Sequence, residues 1–67
     1  MENKLIELRK EKGLTQQQLA DLVEVSRQTI IAIENGKFNP SVILAFKLSK
    51  VFLKQIEEIF IYKEEQI

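Results

Sequence analysis

Two adjacent side chains, Arg27 and Gln28, carry the most specific chemistry in the sequence. In a DNA major groove Arg is the favoured bidentate partner of guanine, and Gln of adenine. Both follow Ser26, a residue type that caps helix starts. They would therefore stand on the first exposed turn of a short helix. On the helical wheel Gln28, Ala32 and Asn35 point opposite to Ile30 and Ile33. Arg27 lies to one side, where a helix start still lets it project forward. Ala32 is small enough to allow close approach to bases, and its methyl can touch a thymine methyl. The pattern fits base reading by a helix start. It fits an ordinary exposed first turn as well, and spacing alone does not separate the two.

Catalysis has little to work with. The sequence contains no His and no Cys, the usual general base and nucleophile near neutral pH. No glycine-rich phosphate loop occurs, and the two glycines are isolated helix stops. Glu57, Glu58, Glu64 and Glu65 read as a solvated charged end rather than a metal cluster. Without Cys there are no disulfides, and a structural zinc is not expected. The expectation is a protein that is not an enzyme, with no cofactor, metal or small-molecule ligand.

The bulk composition bounds the partners. Lys plus Arg is 10 and Asp plus Glu is 10, so the net charge is zero. DNA-binding domains are usually basic, so phosphate could be attracted only by a local patch. A chain of 67 residues with 45% apolar content makes one folded domain. Domains of this size are marginal alone, and an apolar interface with a second subunit is one route to stability. No apolar run approaches the ~20 residues that span a bilayer. The start, MENKLIELRK, lacks the plan of a secretion signal. A cytoplasmic protein without a membrane partner is expected.

The elements that must position Arg27 and Gln28 are legible from caps and periodicity. Thr15 and Gln18 form a capping box, with Leu14 and Leu19 as a hydrophobic staple. Ser26 repeats part of the arrangement, flanked by Val25 and Ile30, and Gly36 supplies a left-handed stop. Residues 16–23 and 27–35 are thus two short helices around a turn at 24–26, a helix-turn-helix candidate over residues 15–36. A first helix is predicted over residues 3–12, capped by Asn3, with Leu5 and Leu8 inward and Gly13 as its stop. Pro40 breaks the chain after the third helix. Ser41 caps a fourth helix to about Phe52, burying Leu44, Ala45, Leu48 and Phe52. A fifth covers residues 55–59, although nothing in KVFLKQIEEIF marks where the fourth ends. The tail FIYKEEQI reads as a short strand or extended arm.

The segment LRKEKGLTQQQLADLVEVSRQTIIAIENGKFNPS strongly resembles the Cro/CI-type (XRE) helix-turn-helix family of phage and bacterial repressors. The motifs TQxxLA, VSRQTI and IExGKxxPS carry the resemblance, over residues 5 to about 60. It implies an all-α, five-helix lambda-repressor-like DNA-binding domain, with a short C-terminal β-strand as an optional addition. It also implies sequence-specific operator binding as a homodimer on double-stranded DNA. Arg27, Gln28 and Ala32 take the base-facing positions. Gln16, Asn35, Lys37 and Asn39 take the phosphate-contacting ones. Arg9 and Glu34 match the family's internal ion pair between helices 1 and 3, a structural role. The turn position usually held by Gly is Glu24 here. The usual Gly and Ser/Thr between helices 4 and 5 are Leu53 and Gln55, which predicts a shifted boundary or partly merged helices.

Residues 51–62 hold more apolar side chains than so small a chain can bury, and an exposed apolar patch marks an interface. A twofold dimer through helix 5 and the tail is expected, formed by Ile56, Ile59, Phe60, Ile61 and Tyr62, with residues 60–64 in a strand. The dimerisation segment spans about residues 51–67. The function expected is a transcriptional repressor on a pseudo-palindromic operator. The alternative is an antitoxin or protein-interaction module on the same scaffold, favoured by the neutral charge and the extra isoleucines Ile31 and Ile43.

Overall fold

Five helices follow one another in a computed structural model that describes residues 1–63. They are α1 (Leu5–Glu11), α2 (Gln16–Val23), α3 (Arg27–Glu34), α4 (Val42–Phe52) and α5 (Ile56–Ile59). α2 packs on α3, α1 crosses behind α3, and α4 supports α2 and carries α5. One cluster joins them: Leu5, Leu19, Ala20, Val23, Ile30, Ile33, Leu44, Ala45, Leu48, Phe52, Ile59 and Phe60 are buried together. Leu8, expected on the buried stripe of α1, packs at its edge.

The starts of α2, α3 and α4 are set by hydroxyl caps. The Gln18 N–H donates to Thr15 Oγ1 at 3.0 Å, and the Thr15 N–H donates back to Gln18 Oε1 at 2.9 Å. The Thr29 N–H donates to Ser26 Oγ at 3.2 Å, and the Leu44 N–H to Ser41 Oγ at 3.1 Å. The first helix is shorter than predicted, beginning at Leu5. Asn3 still serves its start, because Oδ1 accepts the Leu5 N–H at 3.0 Å.

The ends of α1 to α4 repeat one device. A left-handed residue turns the chain, and the next N–H reaches back five residues. Gly13, Glu24, Gly36 and Leu53 are the left-handed residues, at φ 69°, 62°, 74° and 53°. The returning bonds run from Leu14 to Arg9 O, Val25 to Ala20 O, Lys37 to Ala32 O and Lys54 to Ser49 O. This is the Schellman closure, which satisfies carbonyls left free at a helix end. It corrects the expected shift or merger of α4 and α5. The boundary stays where a glycine would put it, and Leu53 adopts the left-handed conformation itself. Gln55 takes the N-cap position of α5, with its N–H donating to Glu58 Oε1 at 2.8 Å.

The two ends of the fold meet. The Lys4 N–H donates to Ile59 O at 2.8 Å, and the Ile61 N–H to Glu2 O at 2.9 Å. They flank an antiparallel bridge between Asn3 and Phe60. The extended segment expected after α5 therefore pairs with the N-terminal arm of its own chain. Part of the predicted strand over residues 60–64, and residues 65–67 of the dimerisation segment, lie outside the described residues.

Glu24 holds its strained position next to a cation. Lys47 Nζ lies 2.8 Å from Glu24 Oε1. The hydrogen bond and charge of Lys47 hold the Glu24 carboxyl below its ordinary value. Both groups are exposed, so the pair is screened by salt. Replacing Glu24 by Gly removes the left-handed penalty and the ion pair together. Glu24→Gly should therefore raise the urea midpoint, with a gain that grows between low and high salt. A midpoint that falls in high salt would refute this account of the turn.

Candidate nucleic-acid interface

The outer face of α3 stands clear of the core. Ile30 and Ile33 are fully buried beneath it. Arg27 and Gln28 are exposed on the first turn, and Ala32 is half-buried one turn further. Asn35, at the end of the helix, and Lys37, just past it, are exposed too. Of the expected base-facing and phosphate-facing residues of α3 and its end, all but Ala32 are thus exposed. Asn39 is exposed but lies apart, bordering a shallow hollow with Glu2, Ile61 and Tyr62 beside the terminal arms.

The N-terminus of α2 adds an anion-attracting end. Thr15 satisfies the Gln18 N–H. The N–H groups of the first helical turn before it have no partner within the helix, and the helix dipole favours negative charge there. Gln16 opens this helix, and its amide is held from below. Gln16 Nε2 donates to Glu34 Oε1 at 2.9 Å.

Glu34 is the centre of that arrangement. Its other oxygen, Oε2, lies 2.6 Å from Arg9 Nε, with side chains only 2% and 12% exposed for Glu34 and Arg9. Arg9 Nη1 donates to Leu14 O at 2.9 Å, on the residue before the α2 cap. The sequence-predicted ion pair is present and joins three elements: α1 through Arg9, α3 through Glu34, and the entry to α2 through Leu14 and Gln16.

The chemistry of this surface is recognition rather than catalysis: neutral amides, one guanidinium and one ammonium around a helix end. The family model described as helix-turn-helix matches residues 5–59. The chain belongs to the XRE-type helix-turn-helix family. This is a non-enzymatic family of DNA-binding transcriptional regulators. The helix-turn-helix chain is 54% identical over 66 residues to an uncharacterised HTH-type transcriptional regulator of Methanocaldococcus jannaschii, covering 98% of this chain and 100% of that one. It is 43% identical over 67 residues to another from Archaeoglobus fulgidus, covering 100% and 96%. Among solved structures it is similar to the restriction-modification controller protein C.AhdI of Aeromonas hydrophila, with a TM-score of 0.76 and 35% identity over 85% of this chain and 86% of that one.

Two residues expected at a dimer surface are not on the surface of this helix-turn-helix domain. Ile59 is fully buried and Phe60 nearly so, both inside the domain's own core. Their strong β-branched and aromatic character is used to close the core against α1 and the N-terminal arm. Ile56 and Ile61 are half-buried, and Tyr62 is exposed. The larger exposed apolar surface lies on α4 and its end, where Val42, Phe46 and Leu53 project at helical spacing on the side away from the core. Ile43 is exposed beside them.

Asn3 has a role in the site that the sequence did not disclose. Besides accepting from Leu5, its Nδ2 donates to Ile33 O at 2.8 Å and to Met1 O at 3.2 Å. It thereby holds the last turn of α3 through a donor 30 residues away in sequence, a pairing that no local pattern announces.

The burial of the pair separates scaffold from surface. Arg9→Ala strands the Glu34 carboxylate and should cost about 3 kcal/mol, on the order of 10–20 °C in Tm for a domain of this size. Arg27→Ala should stay within about 0.5 kcal/mol. Thermal unfolding of the two variants checks the order, and the reverse order would remove the scaffold role of Arg9.

Proposed function

We propose that the chain represses transcription by binding a pseudo-palindromic operator as a homodimer. The observation that carries this reading is the exposed Arg27 and Gln28 with the half-buried Ala32 on α3, backed by buried Ile30 and Ile33. A helix so presented enters a major groove with its first turn. Arg27 and Gln28 read base edges there, and Ala32 packs on a thymine methyl. Gln16, Asn35 and Lys37 contact phosphates on either side, and Asn39 reaches the backbone from the arm side. Repression follows from occupying a promoter, as the family resemblance implies.

Selection of bound sequences from random duplex DNA tests the reading, with an enriched inverted repeat as the expected result. Arg27→Ala should cost about 1–3 kcal/mol in operator binding and relax preference at one base position, whereas Lys37→Ala should weaken all sequences alike and reduce the salt dependence. Unchanged operator binding by Arg27→Ala would overturn the assignment. The exposed apolar face of α4 and the zero net charge favour one other reading, a protein-interaction or antitoxin module. Absence of any enriched sequence would favour it.

The homodimer is supported by the exposed Leu53 and Tyr62 with the half-buried Ile56 and Ile61. Twofold pairing there sets two copies of α3 about 34 Å apart, one turn of the duplex. Sedimentation should give a dimer at micromolar concentration. Leu53→Asn should shift it toward monomer with unchanged helix content, because Asn accepts the left-handed backbone while removing the apolar side chain. A wild-type monomer at that concentration would overturn the dimer.

A further inference from the structure

We infer that Glu34 and Arg9 are positioning residues for a phosphate contact made by Gln16, in addition to tying the helices together. This rests on the reading that the start of α2 meets the DNA backbone. A glutamine amide presents an oxygen on one side and two N–H donors on the other. Which side faces outward decides whether Gln16 can serve a phosphate, which only accepts. Glu34 Oε1 sits 2.9 Å from Gln16 Nε2. A carboxylate in that place accepts an N–H and repels the amide oxygen, so the nitrogen is fixed at this edge. Among the described residues its second N–H has no partner, which leaves it for an acceptor outside.

Arg9 makes this possible at an anion-binding surface. A lone Glu34 carboxylate behind α2 would oppose a phosphate. With Arg9 Nε at 2.6 Å from Oε2, the pair is neutral as a unit. Arg9 also grips Leu14 O at 2.9 Å, so the backbone entering α2 is held by the same group that balances Glu34. Glu34 is itself the last residue of α3. The helix that reads bases and the side chain that meets a phosphate therefore share one anchor, which sets the spacing between the two contacts.

A double-mutant cycle separates this role from a scaffold role. Affinity is measured on a short mixed-sequence duplex at low salt for Gln16→Ala, Glu34→Gln and the combination, because a backbone contact needs no operator. Gln16→Ala should weaken binding by about tenfold, as loss of a hydrogen bond to a charged group does. Glu34→Gln leaves the Arg9 charge unbalanced in both backgrounds, so the coupling is the readout: its effect on affinity should be several-fold less favourable in the wild-type background than in the Gln16→Ala background. An equal change in both backgrounds would overturn the positioning role and leave the phosphate contact standing. A harmless Gln16→Ala would overturn the phosphate contact itself, and this inference with it. Should Glu34→Gln not fold, the wild-type protein answers by NMR. The two Gln16 side-chain amide protons should be well separated, with one shifting as duplex is added. Signals at free-amide positions, unmoved by DNA, would refute the inference.

Discussion

The Glu34 carboxylate, almost wholly removed from solvent, is the group on which the arrangement turns. A buried charge is tolerated only when it is paired and its oxygens are used. Here one oxygen takes Arg9 and the other takes Gln16, so the requirement is met only if α1, α2 and α3 come together in one geometry. Apolar packing among Leu5, Leu19, Ile30 and Ile33 favours contact between the same helices without dictating their angles closely. Hydrophobic attraction is non-directional, whereas the carboxylate is not. The core gives the domain its stability, and the pair gives it a defined relation between the start of α2 and the end of α3.

The repeated helix stop solves a different problem. Four short helices must reverse within a few residues, and each does so by the same left-handed turn. Glycine is the residue that bears such a turn without strain. Two of the four turns use glutamate and leucine instead. Glu24 is accompanied by Lys47, which ties the turn between α2 and α3 to α4. Leu53 is accompanied by Ser49, whose hydroxyl donates to Lys54 O and closes the same loop from the side. The fold thus keeps its geometry where residue preference argues against it, because the flanking helices are fixed by the core.

The helices were legible in the sequence because they rest on local signals. Thr15, Ser26 and Ser41 mark helix starts by their hydroxyls, and the apolar spacing of Leu19, Ala20, Val23, Ile30 and Ile33 marks inward faces. The Arg9–Glu34 pair and the phosphate-facing positions Gln16, Asn35, Lys37 and Asn39 came from the family resemblance. Three features resisted. The α4–α5 boundary was ambiguous because Leu53 carries no propensity for the conformation it adopts. Ile59 and Phe60 looked surplus because counting apolar residues does not reveal that the N-terminal arm folds back to cover them. The bonds of Asn3 to Ile33 and of Gln16 to Glu34 join residues far apart in the chain, and no periodicity encodes such a distance.

The bridge between Asn3 and Phe60 bears on the order in which the molecule assembles. It closes a loop containing nearly the whole chain, and the entropy of that closure must be met before its few bonds are gained. The helices, made of local contacts, form ahead of it. The last turn of α3 meets the same arm at Ile33 O, which accepts both the Asn3 side chain and the Gly36 N–H of the helix's own closure. Fraying of the termini therefore removes one of two bonds at that carbonyl while the amides at the end of α3 keep their bonds within the helix closure.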